Sequence, residues 1–305
     1  MLYFFQQSLN GLQVSIHYAL LAVAYVLVHA ITKQANLVFG SLATWAGYIV
    51  INWALVLMLL MPGKTALPVI LAVIVAIVST MALGYLIGRT VIRPLARQGT
   101  LSILIASLGL AIVLEEFMRL ANHSREVWLM PILKQPLVLY ANPAFPLQLT
   151  TLQVLILSFA FLLAIGVASF IKWHSFGRAW RAAADDLAMA ELCGINTGWL
   201  VIATFVIATT LAATSGALIA IQYGSITFYG GLIMSLKTLF VAIVGGLSSV
   251  GGACAGALLL GMTETMWSAY FDLEYRDAMT FLALSLLMVL FPTGIFGQAT
   301  DAGRV

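Results

Sequence analysis

Eight uncharged, largely apolar stretches leave this chain few ways to fold: residues 12–32, 35–61, 66–88, 99–114, 151–171, 199–222, 238–263 and 278–291. Most reach the roughly 20 residues that an α-helix, rising ~1.5 Å per residue, needs to cross ~30 Å of hydrocarbon. They are continuous and show no two-residue alternation, so they predict helices rather than the strands of a membrane barrel. A soluble domain would carry about a quarter charged residues. Here 62% are hydrophobic and 8% charged. The expected fold is therefore an all-α integral membrane protein. It is one transmembrane domain over residues 1–305, a polytopic bundle of about eight or nine transmembrane helices with broken or re-entrant segments.

The start, "MLYFFQQSLNGLQVS", has no basic region and no small-residue cleavage site, so the first span is expected to stay in the mature protein. Placing residues 172–198 in the cytoplasm puts Lys33, Arg89, Arg93, Arg97, Lys172, Arg178, Arg181 and Arg304 inside. Lys64, Arg119, Arg125, Lys134 and Arg276 fall outside, an asymmetry that agrees with the positive-inside rule. Nine crossings would leave the N-terminus outside and the C-terminus inside. The count turns on 241–261, "VAIVGGLSSVGGACAGALLLG", whose glycine pairs join either two full spans or two half-helices. Residues 121–150 hold Pro131, Pro136, Pro143 and Pro146 and read as the main extracytoplasmic loop, with a short interfacial helix near Trp128.

Small residues inside a span let backbones approach closely and let a helix break where it lines a cavity. Two such places stand out, one in each half of the chain, and such a pair points to the substrate site of a transporter. Asn36 and Gly40 precede a long apolar run, where a helix start would expose N–H groups suited to an anion such as a carboxylate. Gly245, Gly246, Gly251 and Gly252 form the second. Charges at membrane depth are costly and face a bundle interior or water. Glu115, Glu116, Lys237 and Glu264 are the candidates, and a hairpin between Lys237 and Glu264 would let these two pair. The alternative for Lys237 is that it snorkels to the outer interface. His17 and His29 read as hydrogen-bonded packing residues, and Cys193 and Cys254 as small packing residues. No Walker A sequence, His-Glu-x-x-His pair, nucleophile elbow or cysteine cluster is present. No metal or catalytic site and no nucleic-acid partner is expected, and any driving energy comes from elsewhere.

The most water-loving stretch is "GRAWRAAADDLAMAELCGIN", 177–196. Its alanines predict one helix over about 179–193 with Gly194 as terminator. Ala183, Leu187 and Ala190 fall on one side, and Arg181, Asp185 and Asp186 mostly elsewhere.

This stretch resembles the cytoplasmic loop of the branched-chain amino acid ABC transporter permeases, the H-type membrane subunit. So do "RPLARQGTLSILIASLGLAI" at 93–112, "YGSITFYGGLIMSLKTLFVAIVGGLSSVGGACAGALLLGMTE" at 223–264 and "YRDAMTFLALSLLMVLFPTGIFG" at 275–297. The resemblance implies a permease subunit in a bacterial inner membrane, with partners. These are a second permease subunit (a paralogue or a second copy), two cytoplasmic ABC ATPases that hold ATP and Mg, and a periplasmic substrate-binding protein. The chain itself would bind no cofactor. Gly177, Arg178, Arg181, Ala183, Asp186, Ala190, Gly194 and Asn196 match the family's ATPase-coupling helix. The translocation pathway would run past Asn36, Phe39, Gly40, Thr44, Lys237, Gly245, Gly246 and Glu264. Relatives typically carry histidine where Phe39 stands and neutral amides where Glu115 and Glu116 stand. The competing class is a self-sufficient ion-coupled secondary transporter or channel, with Glu115, Glu116 and Glu264 as proton or sodium sites.

Overall fold

A computed structural model describes residues 2–63, 66–99, 101–123, 125, 127–130, 135–140, 147–247, 249–291 and 294–295. The helices are α1 (Leu2–Thr32), α2 (Phe39–Leu60), α3 (Ala66–Ile87), α4 (Arg93–Leu95) and α5 (Ser102–Ala121), with a π-turn at Gly88–Ile92 joining α3 to α4. A ribbon of β1 (Pro136–Tyr140) and β2 (Leu147–Thr150) follows. Then come α6 (Thr151–Trp173), α7 (Ser175–Asp185), α8 (Leu187–Leu192), α9 (Thr197–Tyr223), α10 (Gly230–Gly245), α11 (Val250–Tyr270) and α12 (Arg276–Leu290). Among the described residues, five helices are long and apolar enough to cross a membrane: α1, α2, α3 with its continuation to Leu95, α6 and α9. The expected eight or nine crossings exceed that number. Of the remainder, α5 carries Glu115, Glu116 and Arg119, and α10 and α12 are 16 and 15 residues long.

The bundle is organised around α1, apolar on all sides and buried almost continuously from His17 to Thr32 between α9 and α11. A helix apolar all round belongs in an interior, whereas α6 buries only Ile156, Ala160 and Ile171 and leaves the rest of its apolar surface outward. Small residues set the close crossings. A Cβ on Gly216 would run into the Ala43 carbonyl where α9 crosses α2, and one on Gly84 would run into Thr209 where α3 meets α9.

Two local expectations change, and the hairpin expected around the glycine pairs forms. Residues 121–150 contain an antiparallel ribbon rather than only loop, with Pro136 opposite Thr150, and no helix forms at Trp128. Pro136 opens β1, a position at which its missing N–H costs little. The glycine-rich segment is a hairpin: α10 ends at Gly245, α11 starts at Val250, and Gly245 packs on the Gly252 carbonyl. At ~1.5 Å per residue α10 is only ~24 Å long, short of a full crossing. Finally, the single helix expected over 179–193 is divided at Asp186. That residue adopts extended backbone, and its carboxylate accepts the N–H groups of Ala188 (2.8 Å) and Met189 (3.0 Å). Aspartate competes with the helix ladder in this way at caps, and the capping bonds outweigh the alanine propensity around it.

Candidate functional site

A cavity of about 580 Å³ opens among α1, α2, α9, α10, α11 and α12. His17 and Tyr18, in mid-course along α1, supply one wall, and Thr44, Ile219, Tyr223, Ile226 and Met234 supply much of the rest. Four charges form its floor. Lys237 Nζ, only 3% exposed, donates to Glu264 Oε1 at 2.9 Å and to Asp277 Oδ1 at 2.8 Å. Arg276 Nε lies 3.3 Å from each of the same two oxygens. Two cations and two carboxylates thus cancel, as a low-dielectric setting requires. The hairpin brings the Lys237–Glu264 pair together, and Lys237 does not snorkel.

Two acceptors around this floor are unsatisfied. Glu264 Oε2 is buried with no hydrogen bond of ordinary geometry among the described residues, the Tyr18 hydroxyl interacting with the same carboxyl, and His17 Nδ1 is buried without a partner among them. His17 Nε2 lies 2.9 Å from Gln222 Oε1, and Gln222 Nε2 donates to Gln13 Oε1 at 3.0 Å. Gln222 Oε1 can only accept, so Nε2 carries the proton and Nδ1 is a bare acceptor. Buried acceptors of this kind suit a ligand that brings donors.

Of the expected pathway residues, Thr44, Lys237 and Glu264 border the cavity; Asn36, Phe39, Gly40, Gly245 and Gly246 do not. Phe39 is packed against Phe205 with ring centroids 5.7 Å apart. Three N–H groups at the start of α2 are already engaged. Leu37 N–H donates to Ser107 Oγ, Val38 N–H to Asn36 Oδ1 and Gly40 N–H to Ser235 Oγ. Gly245 and Gly246 serve the hairpin turn, the latter at φ +106°. Arg276 and Asp277 were missed as site residues. Their sequence signal is a charge pair abutting the apolar run 278–291, of which only Arg276 enters the sequence analysis, as an outer basic residue.

Glu115 has a defined place. Its Oε1 accepts the Leu232 N–H at 2.6 Å and faces the Ser41 hydroxyl at 3.4 Å, so a carboxylate from α5 caps the first turn of α10. Negative charge at a helix N-terminus is favourable. Glu115→Ala leaves that N–H unpaired at a cost of about 1–3 kcal/mol, and Glu115→Gln, which still accepts, costs less. Thermal unfolding in detergent should rank the two that way. Glu116 instead pairs with Arg119 at the surface.

At the opposite end of α6 from the ribbon, α7 and α8 form an elbow. Trp180, Ala183 and Ala190 face the bundle; Arg178, Arg181, Asp185 and Asp186 face outward. Most of the motif residues have duties within the elbow. Gly177 lies against the Ile171 carbonyl, where no Cβ fits. Arg181 binds the Ile171 and Lys172 carbonyls at the end of α6. Asp186 caps α8, Gly194 turns at φ +84° and Asn196 caps α9 through the Trp199 N–H at 3.0 Å. Arg178 is exposed, as are Met189 and Leu192 at 61% and 82%. Trp180 Nε1 donates to the Leu27 carbonyl at 3.1 Å and so fastens the elbow to α1. Cys193 is exposed, contrary to its expected packing role, while Cys254 packs partly buried against the core. No group of metal-binding side chains occurs among the described residues.

A polytopic helical bundle around a charged internal cavity, with an amphipathic elbow at one end, has the build of a transport permease. The chain belongs to the family described as branched-chain amino acid transport system / permease component, whose model matches residues 7–291. It is 35% identical over 297 residues to a Salmonella typhimurium protein named high-affinity branched-chain amino acid transport system permease protein LivH, covering 97% of this chain and 96% of that one. It is 36% identical to the LivH of Escherichia coli K12, again over 97% and 96%. A Pseudomonas aeruginosa permease of the same description, BraD, is 34% identical over 97% and 96%. No solved structure matches it. The chain is a multi-pass membrane transport component, not an enzyme.

Proposed function

We propose that this chain is one of two transmembrane subunits of a bacterial inner-membrane ABC importer for branched-chain or other small amino acids and related amides. A periplasmic binding protein delivers the solute to the cavity, and two cytoplasmic ATPases holding ATP and Mg drive release inward. The second permease is a paralogue or another copy. Residues 172–198 are cytoplasmic in this reading.

The observation that carries it is the course of α1. One helix, buried between these two points, meets the elbow at Leu27 through Trp180 and presents His17 and Tyr18 to the cavity ten or so residues away, about 15 Å at ~1.5 Å per residue. A push on the elbow is therefore applied to a wall of the cavity. Alternating access follows if the two ATPase states contact the elbow differently, because only differential contacts shift a two-state equilibrium. The floor supports a zwitterionic solute: Glu264 Oε2 accepts from an ammonium, and Arg276, 41% exposed at its side chain, can turn to a carboxylate.

The test is uptake into proteoliposomes holding the chain with its partner permease and ATPases. Transport should require ATP on the ATPase side together with the binding protein. Uptake by this chain alone under a proton or sodium gradient would replace the reading with a secondary transporter.

A further inference from the structure

Beside the elbow lies a second cavity, of about 490 Å³, separate from the charged cavity of α1, α10 and α11. The π-turn, α4 and the turn after it supply Arg89, Arg93 and Arg97 to one wall; Leu187, Glu191 and the start of α9 supply the other. Arg97 is engaged, with Glu191 at 2.5 Å and Thr197 Oγ1 at 3.1 Å. Arg89 and Arg93 are exposed to the cleft, and neither makes an ion pair or side-chain hydrogen bond among the described residues. Room for Arg93 depends on Gly198, where a Cβ would stand 2.8 Å from its Nε. With three guanidiniums against one carboxylate, the cleft holds two uncompensated positive charges.

What adjoins the cleft indicates what fills it. The outward face of α3 runs through Ile74, Val78, Met81 and Tyr85, exposed at 39–53%, and ends one turn short of Arg89. From Ile74 to Tyr85 that stripe is ~16 Å long, about half of a ~30 Å hydrocarbon layer. An apolar stripe leading into a pair of unpaired guanidiniums is complementary to an amphiphile with acyl chains and an anionic head. Guanidinium matches phosphate oxygens through two parallel hydrogen bonds. A lipid reaches the stripe and the cleft together, whereas a soluble acidic partner reaches only the cleft.

We propose that Arg89 and Arg93 bind the phosphate of an anionic phospholipid in the leaflet on the elbow side of the membrane. Because Arg97 of the same wall holds Glu191 of α8, the bound phosphate braces the elbow from behind.

The experiment uses the chain purified with its partner subunits in detergent and stripped of lipid. Dioleoylphosphatidylglycerol, dioleoylphosphatidylcholine and inorganic phosphate are added separately. Bound lipid is counted by native mass spectrometry, and the thermal midpoint is recorded. Phosphatidylglycerol should be retained and should raise the midpoint, with neither effect from the other two. R89Q/R93Q should weaken its retention about thirty-fold, since one cation near an anionic head is worth roughly fivefold. R89K/R93K, which keeps the charge, should retain most of it and controls for folding. Equal retention of both lipids, unchanged retention by R89Q/R93Q, or an equal effect of inorganic phosphate would overturn the proposal. So would loss of the ATPases from R89Q/R93Q with lipid retention intact, which would assign the cleft to a protein contact.

Discussion

Lys237→Met is expected to cost a large share of the protein's folded stability and all of its transport. Among the described residues, the substitution removes the one cation besides Arg276 within hydrogen-bonding reach of Glu264, and leaves two carboxylates facing one partly exposed guanidinium. Removing one member of a buried ion pair costs about 3–5 kcal/mol, because the remaining charge is stranded. Against a typical total of ~5–15 kcal/mol, that is enough to reduce the folded yield in membranes sharply. Pairing it with Glu264→Gln removes the stranded charge and should restore a monodisperse, thermally stable protein. Transport should stay lost in the double variant, because the charged cavity floor is gone. Yield, thermal midpoint and substrate uptake for the three proteins separate these effects. A Lys237→Met protein with ordinary yield and uptake would mean that the quartet is dispensable.

The second large effect is expected at Gly177. Its Cα lies so close to the Ile171 carbonyl that any side chain must push α7 away from the end of α6. Overpacking of this kind costs about 1–3 kcal/mol locally. The strain falls on the elbow and not on the α1–α9–α11 core, so Gly177→Val should insert and fold. Its angle to the bundle, and with it the Trp180 bond to Leu27, should be lost. The expected phenotype is ATP hydrolysis by the assembled complex that no longer responds to loaded binding protein, with uptake reduced at least tenfold, equivalent to about 1.4 kcal/mol of lost coupling. Coupled transport at the wild-type rate would show that the elbow's fit against α6 does not matter.

Much of this was readable in the chain because lipid imposes a simple rule. A backbone crossing hydrocarbon must satisfy its own polar groups, so the uncharged runs announced helices. The Lys237–Glu264 pair was legible for a related reason: a charge at depth needs a partner, and the glycine pairs fixed where the chain turns back. Arg276 and Asp277 escaped because nothing local distinguishes a charge bordering a span from one reaching into the cavity. The break at Asp186 was hidden by alanines on its N-terminal side and by leucine, methionine and alanine beyond, which favour helix on propensity alone. Only the capping bonds to Ala188 and Met189 decide it. At Asn36–Gly40 the pattern correctly predicted a break before α2. It could not foretell that Ser107 and Ser235, distant in sequence, would occupy the N–H groups.

The central claim is that force enters this bundle from the cytosol through the elbow, and Leu192 offers the most direct access to it. At 82% exposure it contacts little within its own chain, and a photoreactive side chain placed there leaves the elbow's internal bonds intact. On irradiation of intact cells carrying the whole transporter, the account predicts an adduct between residue 192 and an ATPase subunit, its yield changing when ATP is trapped. Reaction of position 192 with a membrane-impermeant reagent added outside the cells, or no adduct with any nucleotide-hydrolysing subunit, would contradict it.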